Sequence, residues 1–212
     1  MLARRGALST AWKAFGALSM FRSDRRAVAA IEFALIVPLL LSMYFVTMEV
    51  GQGIETNKKV GRSASMIADL VTQQQSTTKA DLDAILKIGT AILQPYGRSK
   101  PTIIITAIRV TDETTPKIEV VWSRKMVDGA FQADKPAGTI TTLPPKLNVK
   151  GTFLIRVESD LDYYPVITWA ASSRNTVGLG VMGDIFKDGY IDMGEAYYLR
   201  PRMSQTITCS DC

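Results

Sequence analysis

Histidine is absent from the 212 residues, so the commonest general base and metal ligand has no representative. No serine or cysteine can pair with an imidazole, and no G-x-S-x-G elbow occurs, which removes the usual hydrolase nucleophiles. Cysteine is nearly as scarce, with Cys209 and Cys212 alone. Two thiols cannot fill the four positions of a structural zinc site, and a thioredoxin-type C-x-x-C would open a helix. The pair is expected to form a short terminal disulfide in an oxidising compartment. A basic surface is missing as well. The net charge is +5, but the first 26 residues hold Arg4, Arg5, Lys13, Arg22, Arg25 and Arg26 against Asp24. From position 27 onward 19 basic residues face 19 acidic ones, a neutral body that argues against nucleic acid as a partner.

What the sequence does have is one long apolar run. Val28 to Met48 is 21 residues whose only ionisable side chain, tyrosine aside, is Glu32. That length crosses a bilayer core as one helix. A carboxylate one turn inside it costs roughly 2.5–3.5 kcal/mol on insertion scales, so its presence needs a reason. The arginines before the run hold the N-terminus in the cytoplasm and send the remainder across. A cleaved secretory signal would have a shorter core and an Ala-x-Ala-like site. Here Glu49-Val50-Gly51-Gln52-Gly53 follows instead, and a retained anchor is the reading.

Arg25-Arg26-Ala27-Val28-Ala29-Ala30-Ile31-Glu32-Phe33, with Pro38 further on, resembles the start of a type IV pilin precursor, and specifically the TadE-like minor pilins of the Tad (Flp) pilus system. The close resemblance runs from Arg25 to about Leu70. It implies cleavage by a prepilin peptidase between Ala27 and Val28, where the family usually has glycine before the cut. It implies subunit packing through Glu32, Phe33 and Pro38, a single-pass bacterial inner-membrane protein with a periplasmic head, and incorporation into a surface pilus. The implied partners are other Tad pilins and minor pilins, the prepilin peptidase and inner-membrane platform proteins. Residues 1–27 are then a basic leader, 28–50 a transmembrane helix, and 51–212 a head that includes the helix extension.

Helical periodicity persists beyond the membrane segment. Val60, Ala64, Ile67 and Val71 recur at three- and four-residue spacing, with Lys58, Lys59 and Arg62 on other faces. Unbroken from Val28 to about Thr72, such a helix would reach roughly 65–70 Å. Gly51 and Gly53 weaken it, and Pro38 removes a backbone donor. After Gln73–Thr77, Thr78 and Asp81 read as caps of a second helix whose apolar face is Leu82, Ile85, Leu86, Ile88, Ile92 and Leu93. From Pro101 the period turns to two. Thr102–Val110 and Lys117–Arg124 predict a hairpin, Gly151–Ser159 a third strand with Phe153, Ile155 and Val157 on one face, and Tyr197–Thr208 a last strand with Pro201 at an edge or bulge. Asp128 to Pro145 reads as loop. The sum is an α+β chain: a long N-terminal transmembrane helix continuing into a pilin-like head, whose second helix packs on an antiparallel sheet of about four strands.

Two motifs remain. Gly178-Leu179-Gly180-Val181-Met182-Gly183 matches G-x-G-x-x-G as letters, but no strand–helix alternation surrounds it and turn chemistry follows. Asp184, Asp188, Asp192 and Glu195 coincide with acidic positions of an EF-hand loop, with Gly189 sixth. Phe186 stands where an oxygen ligand belongs, so a plain acidic loop is preferred and calcium is the alternative cofactor reading. No catalysis is expected. A signal-anchored periplasmic enzyme, or an adhesive head presenting Trp122, Tyr163, Tyr164 and Trp169, are the competing readings.

Overall fold

A computed structural model describes residues 25–166 and 190–212; the G-x-G-x-x-G match, Asp184, Asp188, Trp169 and most of the leader lie outside them. Helix α1 runs Arg25–Thr72 with Pro38 inside it. The chain divides into two compact units, one up to Met48 and one from Glu49 onward. In the first, the described residues are helical, apolar and long enough to cross a membrane, and the described residues leave that apolar window exposed.

The second unit is built on the predicted stripe. Val60, Ala64, Ile67, Ala68 and Val71 have no exposed surface. Burying a Val or Ile side chain contributes about 1.5–3 kcal/mol, enough to offset the roughly 1 kcal/mol that Gly53 and Gly61 each cost the helix relative to alanine. Strand β1 (Ser76–Thr77) follows, then helix α2 (Lys79–Ile92). Thr78 caps α2: its Oγ1 accepts from the Asp81 amide at 3.2 Å, and the Asp81 carboxylate accepts from the Thr78 amide at 3.1 Å. Leu82, Ile85 and Leu86 turn into the core as expected, but Ile88 faces solvent and Gly89 is buried in its place. Arg124 reaches from the sheet and grips Asp83 of α2 with two bonds of 2.8 Å.

Five strands, rather than about four, make an antiparallel sheet in the order β4-β3-β2-β5-β6. They are β2 (Thr102–Val110), β3 (Ile118–Val127), β4 (Ala130–Ala133), β5 (Phe153–Tyr163) and β6 (Ile191–Leu199). The added strand β4 lies in the stretch read as loop. Asp128 and Gly129 both take positive φ, 53° and 85°, the two-residue turn that matches strand twist and folds β4 back on β3. Further on, residues 138–141 also bond along β3, the Val120 amide donating to the Thr139 carbonyl at 2.9 Å. The β2–β3 register shifts between Ala107 and Ile108, a bulge. Alternation on β5 sends Phe153, Ile155 and Val157 into the core beneath α1 and α2, beside Ile103, Ile105, Ala107 and Trp122.

The last strand also differs from expectation. β6 ends at Leu199, before Pro201, and the stretch after it is a strap. It ends in β7 (Thr208–Cys209), which pairs in parallel with β1. Ile207 is fully buried, its carbonyl accepting from the Trp122 indole at 2.8 Å.

Candidate subunit-packing helix and its anchorage

In the apolar half of α1 the serine and threonine hydroxyls are satisfied locally. Ser42 donates to the Leu39 carbonyl and Thr47 to that of Met43, each at 2.8 Å, the local back-bonding that would also satisfy them in hydrocarbon. Glu32 differs: among the described residues no hydrogen bond or ion pair engages its carboxylate. Glu32, Phe33 and Pro38 are all exposed, Phe33 to 70%, and Val28 beside them to 53%. Pro38 lies inside the helix and has no amide to give the Ala34 carbonyl. The exposed surface of this helix offers apolar area and one carboxylate to another molecule.

Where the second unit begins, sequence reading missed a polar anchor. The Glu49 side chain is only 13% exposed. It accepts from the Tyr163 hydroxyl at 2.6 Å and from the Val166 amide at 2.9 Å, and the Arg98 guanidinium lies 3.9 Å away. Arg98 in turn donates to the Tyr164 carbonyl at 2.7 Å and lies over the Tyr96 ring. Tyr96 stacks on Tyr163 with ring centroids 5.3 Å apart, and its hydroxyl accepts from the Tyr164 amide at 2.8 Å. Burial, reinforced by the Glu49 carboxylate, raises the Tyr163 phenol well above its ordinary pKa. The anchor joins residues 114 apart in sequence, so no local spacing signals it. Its one hint was an acid immediately after an apolar run.

The acidic candidates separate. Asp192 and Glu195 stand in strand β6, not in a loop. An odd spacing on a strand puts them on opposite faces. Glu195 packs its stem toward Gly61 of α1, whereas Asp192 lies beside Asp160 on the other face. They do not converge on one ion. Asp160 is held above the ordinary carboxyl range by burial, then by Asp192, Glu158 and Asp162. Cys209 and Cys212 are bonded, their Cα atoms 5.6 Å apart. Asp211 clusters with them, yet sulfurs joined to each other offer no thiolate to a metal. Of the aromatics considered for an adhesive face, Trp122 and Tyr163 are core residues and Tyr164 is 39% exposed. A shallow depression lined by Arg109, Asp112, Glu113 and Phe153 lies at the opposite end of β5 from Tyr163.

Residues 27–69 match the family described as TadE-like protein. That segment begins at the implied cleavage point and covers nearly all of α1. No curated protein and no solved structure matches the chain.

Proposed function

We propose that this chain, TadE-like over residues 27–69 and so tied to the Tad pilus system, is a minor pilin or pseudopilin needed to build that pilus. It acts through α1, which packs with the helices of other pilin subunits in an initiating or tip complex. The observation that carries the reading is Glu32, a lone carboxylate with no partner among the described residues, on an apolar helix that no other described residue covers. A charge in hydrocarbon is kept where it is paired or functional. Cleavage between Ala27 and Val28 would create an amino group one helical turn before Glu32. The Val28 amine of one subunit then pairs with Glu32 of its neighbour, offsetting the desolvation of both charges.

In this reading the chain is a prepilin peptidase substrate and a single-pass inner-membrane protein with its N-terminus cytoplasmic and its head periplasmic. It works with platform proteins and sister pilins and performs no catalysis. Mass spectrometry of the native protein should find Val28 as the first residue; retention of Ala27 would remove the amine from the scheme. Glu32→Ala should insert into the membrane at the wild-type level and abolish piliation, and normal piliation in that variant would refute the role given to the carboxylate.

A further inference from the structure

The disulfide closes a loop of four residues, too short to constrain the unfolded chain by much more than roughly 2 kcal/mol. Its surroundings give it a more local task. The Asp211 carboxylate, inside that loop, accepts from the Lys79 amide at 2.8 Å, and Lys79 is the first residue of α2. The cap formed by Thr78 and Asp81 serves the Asp81 and Thr78 amides and leaves this one over. Beside it the Ser210 amide donates to the Thr77 carbonyl at 3.2 Å, and β7 pairs with β1. The bridge lies at the surface, with Cys212 exposed and Cys209 half-exposed. Two residues before Cys209 the strap is fixed by different means, the buried Ile207 side chain and the bond from Trp122. The sulfur bridge therefore governs only the last turn of the strap.

We propose that Cys209–Cys212 is a redox-addressable clasp that seats Asp211 on the first turn of α2, and that a dithiol reductant releases it. The accessible sulfur sets the route. A reductant thiolate attacks Cys212 Sγ, the S–S bond breaks, and Cys209 leaves as thiolate and takes a proton from water. The second reductant thiol, having given its proton to water, attacks the mixed disulfide and expels the Cys212 thiolate, which is protonated in turn. Two electrons have then passed to the protein, which holds two thiols, and the reductant holds a disulfide. Without the four-residue ring, residues 208–212 separate from β1 and α2 loses an external cap.

The test is amide hydrogen exchange on the full chain in detergent, oxidised and then reduced with dithiothreitol. Exchange at Lys79 and Ser210 should accelerate on the order of tenfold, in the range a lost helix cap is worth, while the Trp122 indole N–H and the strands β2 and β5 stay protected. Cys209→Ser/Cys212→Ser should show the fast rates from the start and ignore the reductant. Asp211→Ala, left oxidised, should speed Lys79 alone. Unchanged exchange at Lys79 on reduction would overturn the proposal, as would acceleration spread over the whole sheet, which would make the bridge a global staple. Normal protection of Lys79 in Asp211→Ala would remove Asp211 from the role.

Discussion

Gly89 sits where α2 crosses α1, and a single methyl group decides its contribution. A Cβ there would overlap Ile67 Cδ1 and stand 2.9 Å from Ile103 Cδ1 and 3.0 Å from Ser63 Oγ. Alanine gains about 1 kcal/mol over glycine inside a helix, but extra volume in a packed core costs about 1–3 kcal/mol. The steric term wins, because the crowded atoms belong to side chains with no exposed surface and the Gly89 carbonyl accepts from Ser63 at 3.1 Å. Gly89→Ala should therefore lower stability by up to about 2 kcal/mol in denaturant titration; a stabilised variant would show the crossing to be looser than described. Glu49 makes the complementary case, where removing atoms does the damage. Glu49→Ala leaves the Tyr163 hydroxyl and the Val166 amide without their acceptor, at a cost of about 1–3 kcal/mol. Glu49→Gln retains an acceptor and should cost less. Pairing Glu49→Ala with Tyr163→Phe in a double-mutant cycle should give a non-zero coupling energy, and strict additivity would mean the two do not act together.

At the scale of elements, periodicity identified what it could physically encode. The 3.6-residue stripe Val60, Ala64, Ile67, Val71 and the two-residue alternation Phe153, Ile155, Val157 each name one buried face, and both faces are buried. The failures share a cause: charged or short segments whose place depends on a neighbour. β6 carries Asp192 and Glu195 because the outermost of the described strands tolerates charge, so its acids read as loop. β4 is four residues long, and only the Asp128-Gly129 pair announced it. β1 and β7 are two residues each and exist because they find one another across the whole head. Of the candidate site, Glu32 and its apolar setting were legible from composition alone. The Glu49 anchor was not, because its partners Arg98, Tyr163 and Val166 come from elements that only the folded sheet assembles.

For the whole molecule, pH separates two groups whose folded pKa values both lie above their unfolded ones. Asp160 keeps its proton longer in the folded state, so between the unfolded value of about 3.9 and its raised folded one the native state binds more protons. Stability contributed by that proton is complete below the window and is lost as pH rises through it. Asp160→Asn should consequently be more stable than the parent at pH 7 and equal to it near pH 3 in chemical denaturation; the same difference at both values would rule the carboxyl out as the source. Tyr163 behaves likewise at the alkaline end. Its phenol stays neutral in the fold while the unfolded chain ionises near 10, so the head weakens above that pH and Tyr163→Phe should weaken less steeply.

The strap has a consequence for how the chain acquires its structure. The Lys79–Asp211 bond spans 132 residues, whereas the β2–β3 hairpin closes over a handful. Contacts of such separation form late, because the intervening chain must already be ordered for its closure entropy to be small. Since β7 is synthesised after everything it touches, α2 spends its early life with its first amide unserved. Residues 207–212 close over a head that is already ordered, and oxidation of the two cysteines fixes them there.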